Sequence, residues 1–406
     1  MDPPEFYKIR RRQSRITGKV MHLFFNCLAA SAASGLTYVR NVVPHLSGQQ
    51  GVRATLALSP QLRNELGNPS NISFVELEIP AGAAGRFCWE QSLLSRTIRK
   101  SGADVLISAG NFALFRSPVP QILLSGNSLY TSPDFYGDLR ARRAYLIWLD
   151  TRARGFFARR SVRWADCTVA PSKSFADTLR VWSEGKVASI YHGFDPDIFF
   201  RDQDQLPLEI NAKIDSDKDA LRLIFVSHYN YYRNFETLLR AIPYIRERLG
   251  GREVRLLLTC KLSSAEDTGA YRTATAAALV QDLGISNEVV ELGAIPYGQL
   301  QHVLRGCDIY VTPAYAETFA HPLVEAMASG LPIVASDLQV HREVCGAAAL
   351  YFPCFSPADL AKQVMVIANN QELRREMANS GQNRSLDFSW ARHVQELLAI
   401  SREITN

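Results

Sequence analysis

The chain has 406 residues, which is too long for one ordinary hydrophobic core, so two domains are expected. The composition is that of a globular protein, and a net charge of +5 permits an anionic partner without identifying one. Seven scattered cysteines without a CxxC pair argue against a disulfide framework and against a zinc site.

The N-terminal stretch is basic, with Lys8, Arg15 and Lys19 among its charges. The apolar run that follows, Val20–Phe25, is too short for a signal-peptide core or a membrane span. We therefore expect a cytoplasmic protein.

Short apolar runs bounded by turn residues predict strands along the whole chain. The runs are Val20–Phe25, Val52–Leu58, Val105–Ser108, Ile122–Ser125, Cys167–Ala170, Val187–Ile190, Leu221–Val226, Val254–Thr259, Val289–Leu292, Ile309–Thr312, Ile333–Ala335 and Ala348–Phe352. Segments of helical period are Phe235–Leu249, Ala270–Leu283, Tyr297–Arg305, Pro357–Ala368 and Ser389–Ser401. The alternation predicts an α/β chain with two Rossmann-like, doubly wound parallel-sheet domains.

The stretch Phe199–Lys218 is polar and has no sustained apolar period, which is typical of a linker. We therefore predict an N-terminal domain over residues 1–200 and a second domain over residues 201–385. Residues 386–406 are expected to form a helix that crosses back to the N-terminal domain.

The segment ETFAHPLVEAMASG has a pattern typical of a ligand site at the carboxyl end of a strand. Glu317 lies in the loop, and Pro322 is a suitable first-turn residue for the helix that follows. The amides of Thr318, Phe319 and Ala320 would then face an anion at the helix start.

Two carboxylates beside an anion site need a separate target, because they would repel phosphate. Glu317 and Glu325 are eight residues apart, about 12 Å if the segment is wholly helical. Hydroxyl groups of two sugar rings joined by a diphosphate fit that spacing, since a carboxylate accepts strong hydrogen bonds from them. The alternative is that Glu325 is a solvated helix residue and Glu317 an exposed loop acid.

The same segment resembles the EX7E signature of retaining glycosyltransferases, and HPLVEAMASGLPIVAS is similar to glycosyltransferase family 4. The resemblance extends to LIFVSHYNYYRNFETLLRAI, VVELGAIPYGQLQHVLRGCDIYVTPA, CTVAPSKSF and IYHGFDPDIF. It implies the two-domain GT-B fold, with a nucleotide-sugar donor bound by the C-terminal domain. Glu317 would contact hydroxyls of the transferred sugar, and Glu325 the ribose. The resemblance places further donor contacts at Phe319, Ala320, Leu323, Val324, Leu292, Gly293, Ala294 and Ile295.

Two positions depart from the family pattern. The usual Arg and Lys that neutralise the diphosphate correspond to His228 and Arg233. Arg233 can serve, whereas His228 adds charge only when protonated and can instead be an ordinary polar loop residue. Ala320 stands where the family usually has glycine.

The N-terminal domain is expected to bind the acceptor. Ser34 and Gly35 lie in a small-residue segment where the family has a glycine-rich loop, although a turn or packing role explains them equally well. No histidine lies between His45 and His192, so Asn127 is the candidate for the polar group near the sugar. Ser336 ends a predicted strand and would bind phosphate or cap the next turn.

The segment Gly137–Arg163 contains eight arginines and two aspartates, and apolar residues including Tyr145, Leu146, Trp148, Leu149, Phe156 and Phe157 make it amphipathic. It would lie on an anionic membrane and meet a lipid-linked acceptor, or form an ordinary helix with a solvated basic face. No nucleic-acid motif is present, and no nucleic-acid partner is expected.

These observations predict a retaining hexosyltransferase that uses a nucleotide-diphosphate sugar, without a cofactor or metal. The acceptor would be a saccharide or lipid-linked saccharide in cell-surface polysaccharide or glycolipid assembly, at the cytoplasmic face of the membrane. A nucleotide-sugar epimerase, a glycosidase and a non-catalytic nucleotide-sugar-binding protein remain alternatives.

Overall fold

The computed structural model describes residues 20–30, 33–80, 82–201, 206–215, 219–262 and 271–406. Lys8, Arg15 and Lys19 lie outside these ranges, as does the side chain of Ser34. In the described residues, two fully parallel sheets carry the fold, and most of the continuous apolar runs are buried within one of them.

The first sheet has seven strands in the order β3-β2-β1-β4-β5-β6-β7. They are β1 (Met21–Asn26), β2 (Val52–Leu58), β3 (Ile72–Glu76), β4 (Val105–Ser108), β5 (Gln121–Leu124), β6 (Cys167–Ala170) and β7 (Lys186–Ser189). The sequence prediction lacked β3, because this edge strand is mostly half-exposed and has no continuous apolar run.

The second sheet has six strands in the order β10-β9-β8-β11-β12-β13. They are β8 (Leu221–Phe225), β9 (Val254–Leu258), β10 (Val289–Glu291), β11 (Ile309–Thr312), β12 (Ile333–Ser336) and β13 (Ala349–Phe352). In both sheets the order reverses beside the first strand, as in doubly wound folds that bind ligands at the point of reversal.

Helices cover both faces of each sheet. In the N-terminal half they are α1 (Ala33–Leu46), α2 (Pro60–Arg63), α3 (Ala83–Trp89), α4 (Ser95–Ser101), α5 (Pro133–Ala141), α6 (Tyr145–Trp164), α7 (Lys173–Arg180) and α8 (Pro196–Phe199). A π-helical turn, Glu90–Leu94, joins α3 to α4.

The C-terminal half continues the same pattern. Its helices are α9 (Leu208–Asp215), α10 (Phe235–Arg248), α11 (Ala274–Asp282), α12 (Leu300–Arg305), α13 (His321–Ala328), α14 (Gln339–Cys345), α15 (Pro357–Ala368), α16 (Gln371–Ser385) and α17 (Trp390–Thr405). Within the described residues, the helix predicted over Ala270–Leu283 is Ala274–Asp282, and Ala270 itself lies outside them. The helix predicted from Tyr297 begins with a 3-10 turn.

The polar stretch expected to be a linker contains helix α9. Leu206, Ile210 and Ile214 recur every fourth residue and pack against the core of the second sheet, which explains the helix. The polarity of the intervening residues reflects the exposed face of α9.

The last helix, α17, packs against the first sheet rather than the second. Trp390, Val394 and Leu397 belong to the hydrophobic cluster of β1 and α1. The chain enters α17 beside Gly193, where a Cβ atom would lie 2.1 Å from the backbone nitrogen of Trp390. Only glycine permits this close approach of two backbone segments.

Candidate active site

A cleft of about 350 Å3 lies between the carboxyl ends of the two sheets. The N-terminal half contributes Gly35 in the first turn of α1, the segment Ala109–Asn111 after β4, and the segment Leu124–Leu129 at the end of β5. The C-terminal half contributes Tyr232–Arg233 and Glu317–Pro322, which follow β8 and β11. Both sheets therefore present their ligand-binding edges to one space.

At Gly35, in the wall of this cleft, helix α1 closely approaches the loop that follows β1. A Cβ atom at Gly35 would lie 2.9 Å from the Cα atom of Ala30. The absence of a side chain lets α1 begin next to the loop after β1.

Asn234 joins the two loops that carry the charged residues of the cleft. Its backbone is left-handed, with φ of 56°, which ends the 3-10 turn Tyr231–Arg233 and turns the chain into α10. Its side-chain Nδ2 donates to the carbonyl of Pro313 over 3.0 Å, and Thr237 donates to its Oδ1 over 2.8 Å. The loop after β8 is thereby held against the loop after β11.

Arg233 and Glu317, which are 84 residues apart in sequence, form an ion pair at this junction. Glu317 also accepts a hydrogen bond of 3.1 Å from the amide of Thr318. Burial opposes ionisation of Glu317, but Arg233, His341 and the Thr318 amide outweigh it and lower the pKa of the carboxyl. The site thus holds a partly buried, ionised carboxylate paired with a guanidinium.

Helix α13 starts at the cleft through a strained residue. Ala320 has φ of 65°, in the left-handed region that glycine adopts more readily. Pro322 occupies the first turn, as predicted. The amide of Leu323 donates to the carbonyl of Ala320 over 3.0 Å.

Two of the amides expected to face an anion are therefore used inside the protein, at Thr318 and Leu323. The side chains of Leu323 and Val324 are buried in the core, and Phe319 and Ala320, which are also buried, border the cleft. The hydroxyl of Thr318 donates to the carbonyl of Gly126 over 3.3 Å, which joins the two halves of the chain at the cleft.

Glu325 lies one turn inside α13 and is buried. Its environment differs from that of Glu317, because burial dominates and raises its pKa to about 7, opposed by the neighbouring Tyr297 hydroxyl. The solvated alternative for Glu325 is wrong, since only 7% of the residue is exposed.

The other predicted C-terminal residues do not line the cleft. His228 is exposed on the loop after β8 and is not among the cleft-lining residues. Leu292, Gly293, Ala294 and Ile295 follow β10 at the same edge of the sheet. Ser336 is fully buried, and its hydroxyl donates to the carbonyl of Ala314, so in this structure it serves the loop rather than the cleft.

On the N-terminal side, Asn127 lines the cleft, as expected for a polar group near a ligand. Its side-chain oxygen accepts a hydrogen bond of 3.0 Å from the amide of Leu129, and its side chain also hydrogen-bonds the hydroxyl of Tyr130. The backbone of Ser34 lies in the first turn of α1.

Three histidines that are not among the predicted site residues lie at or near the cleft. His341 is fully buried beside Glu317, and its Nδ1–H donates to the carbonyl of Ser336 over 2.9 Å. His192 and His321 line the cleft with stacked rings 5.0 Å apart, and burial lowers the pKa of His321 to about 4. His321 lies between Glu317 and Glu325, so its position in the EX7E segment is the sequence feature that indicated a place near the site.

The basic segment Gly137–Arg163 forms parts of α5 and α6. Several of its large apolar residues are exposed, namely Tyr145, Leu146, Leu149, Phe156 and Phe157. Trp148 instead packs against the core of the C-terminal half. In the described residues, no helix is both long and apolar enough to cross a membrane.

Comparison with known families gives a match in the C-terminal half. Residues 208–384 match the family model of glycosyl transferases group 1. D-inositol 3-phosphate glycosyltransferase of Nocardia farcinica is 28% identical over 43% of this chain and 38% of that protein. MMP alpha-(1->4)-mannosyltransferase of Mycolicibacterium hassiacum is 28% identical over 48% and 47%, respectively. The chain matches between 38% and 52% of the length of the first three curated relatives.

Solved structures resemble the whole chain. Sucrose-phosphate synthase of Thermosynechococcus elongatus has a TM-score of 0.72 and 16% identity, covering 95% of this chain and 99% of that one. The Anabaena protein HepE in complex with UDP and glucose has a TM-score of 0.68 and 17% identity, with coverage of 94% and 99%. With its two parallel sheets facing one cleft, the chain has the GT-B fold of glycosyltransferases.

Proposed function

We propose that the chain is a retaining glycosyltransferase of family 4, with the EX7E signature at Glu317 and Glu325. It transfers a hexose from a nucleotide-diphosphate sugar to an acceptor hydroxyl. The Arg233–Glu317 pair, at the mouth of a cleft between two ligand-binding edges, carries the proposal. It pairs a phosphate-binding cation with a hydroxyl-binding carboxylate. The match of residues 208–384 and the likeness to a UDP- and glucose-bound protein support this reading.

In the proposed reaction Arg233 leaves Glu317 and binds the diphosphate, while Glu317 accepts hydrogen bonds from the sugar. Glu325 accepts from the ribose, and the segment Leu292–Ile295 contacts the base. The bond between the anomeric carbon and the diphosphate oxygen breaks, and the diphosphate keeps the electron pair. The acceptor oxygen bonds to the anomeric carbon on the same face, and its proton passes to the leaving diphosphate.

The charge on the leaving group is balanced by Arg233 and the start of α13, and by His228 when it is protonated. We propose that no metal and no cofactor takes part. A chelator is then expected to leave the transfer rate unchanged, whereas a loss of activity restored by Mg2+ or Mn2+ would contradict this point.

The test is incubation with a panel of UDP-, GDP- and ADP-sugars, with and without saccharide acceptors. We expect donor-dependent transfer, with NMR showing the anomeric configuration of the donor retained in the product. Conversion of the donor sugar into its epimer without an acceptor indicates an epimerase. Hydrolysis of a glycoside without any nucleotide indicates a glycosidase. A rise in melting temperature without turnover indicates a binding protein.

The acceptor is proposed to be a saccharide or lipid-linked saccharide met at an anionic membrane, with the protein peripheral at the cytoplasmic face. The exposed apolar residues of α6 support this, because they alternate with exposed arginines. Leu146 is 84% exposed, although it is a large aliphatic residue.

Vesicle co-sedimentation tests the membrane contact. We expect binding to vesicles with about a third anionic lipid, weak binding to neutral vesicles, and loss of binding at high salt. Leu146→Glu with Leu149→Glu should weaken binding, whereas Val181→Glu, on a different exposed surface, should not. Equal sedimentation of both variants would show that α6 is an ordinary solvated helix.

A further inference from the structure

Helix α5 belongs by sequence to the N-terminal half but is packed into the core of the C-terminal half. Phe135 and Leu139 are fully buried, and they lie in the same hydrophobic cluster as Leu221, Phe225 and Phe235. The preceding residue Ser132 caps the helix by accepting from the amide of Phe135 over 3.2 Å. Helix α5 is therefore anchored in the core of the C-terminal half, although its sequence belongs to the N-terminal half.

A chain of charges joins α5 to the start of α10. Arg142, just after α5, donates from Nε to Asp138 over 2.8 Å and from Nη1 to Glu236 over 2.9 Å. All three side chains are at most 21% exposed. One guanidinium therefore bridges carboxylates from the two halves of the protein, a geometry that lysine cannot reproduce.

Two tyrosines complete this network. Tyr315 donates to Asp138 over 2.7 Å, and Tyr229 donates to Glu236 over 3.1 Å. Both hydroxyls donate hydrogen bonds to the two carboxylates, which share the single guanidinium of Arg142. These hydrogen bonds stabilise the negative charge that the guanidinium does not neutralise.

The network holds the two loops that carry the ion pair of the cleft. Arg142 lies over the ring of Tyr231, 4.3 Å from its centroid, and Phe135 meets the ring of Tyr232 edge-on at 6.1 Å. The amide of Tyr315 donates to the carbonyl of Tyr232 over 3.0 Å. Arg233 follows Tyr232, and Glu317 lies two residues after Tyr315.

We propose that α5 is a positioning element of the donor site, acting through the chain Asp138–Arg142–Glu236 to fix the loop Tyr229–Arg233. The inference rests on the proposed nucleotide-sugar function. The acceptor-side half of the protein thereby sets the placement of the guanidinium that binds the donor diphosphate. Arg142 contacts no substrate in this account and acts only through the loop.

The test compares Arg142→Met with the matched control Arg140→Met, an exposed arginine on α5. The readout is the Kd for UDP, GDP or ADP, whichever binds the wild type best, by calorimetry without lipid. Each variant is measured below its own unfolding transition. We expect Arg142→Met to weaken binding about tenfold and Arg140→Met to leave it unchanged.

A double-mutant cycle separates positioning from simple loss of stability. In an Arg233→Met background, Arg142→Met should add less than about a twofold change, because its route to the diphosphate is already gone. Equal weakening in both backgrounds, or unchanged binding by Arg142→Met, would overturn the proposal.

If Arg142→Met does not fold, Tyr315→Phe replaces it in the same cycle. That variant removes only the hydrogen bond to Asp138, and we expect about threefold weaker binding. Unchanged binding by a folded Tyr315→Phe would likewise overturn the proposal. The proposed function fails separately, if no nucleoside diphosphate binds the wild type or if Arg233→Met alone has no effect.

Discussion

The segment Glu317–Glu325 has a glutamate at each end, and the two carboxyl groups lie in opposite electrostatic environments. Glu317 is paired with Arg233, and its pKa is lowered. Glu325 is buried next to a tyrosine hydroxyl, and its pKa is raised to about 7. The comparison shows that a shared motif does not assign a shared charge state, because burial and the nearest cation decide it.

Removal of the cation should have the largest effect on activity. Arg233→Met is expected to lower the transfer rate about 10²- to 10³-fold, since it removes the side-chain charge that stabilises the leaving diphosphate. Arg375→Met, on the exposed face of α16, is the control. Steady-state kinetics with saturating acceptor would check this, and a rate within threefold of wild type would contradict the role.

Glu317→Gln should destabilise the protein by about 2–3 kcal/mol at neutral pH, because the partly buried guanidinium of Arg233 is left without its carboxylate. A lowered pKa means that this stabilisation is present above the ordinary pKa of the carboxyl and is lost as pH falls through the folded-state value. Urea unfolding at neutral and acid pH should therefore show a difference that shrinks on acidification. A constant difference would mean that the ion pair is not its source.

Glu325→Gln should shift stability in the other direction. The raised pKa stabilises the folded state fully below about pH 4.5, and that contribution is lost as pH rises through about 7. Hence the variant should match wild type near pH 4 and exceed its free energy of unfolding by about 1–3 kcal/mol at pH 8. A less stable variant at pH 8 would show that Glu325 is held ionised.

Ala320→Gly is expected to give the smallest effect, a gain of about 0.5–1 kcal/mol, because glycine relieves the left-handed conformation at the helix start. Thermal unfolding would measure it. Gly330→Ala, at φ of 77° after the same helix, should lose stability for the converse reason. A loss in both variants would show that the methyl group of Ala320 contributes more by packing than it costs in strain.

The sequence was informative where one local pattern decides one structure. Continuous apolar runs predicted the buried strands, and Pro322 predicted the start of α13. The local pattern gave no information where the structure depends on a residue distant in sequence. Phe135 and Leu139 are apolar, but nothing in the neighbouring sequence shows that they enter the core of the other half. Likewise, the spacing of Glu317 and Glu325 carries no information about Arg233 or Tyr297, so their different pKa values could not be predicted.

The assignment of Arg233 to the diphosphate and Glu317 to the sugar is tested by comparing Glu317→Gln with wild type. The Kd is measured for two ligands, a nucleoside diphosphate and its sugar conjugate. Arg233 would be released from its carboxylate, so the nucleoside diphosphate should bind more tightly to the variant. The nucleotide sugar should bind more weakly relative to the diphosphate, because its hydroxyls lose the charged acceptor. Parallel changes in the two Kd values, or no change in either, would contradict the assignment of Arg233 to the diphosphate and Glu317 to the sugar.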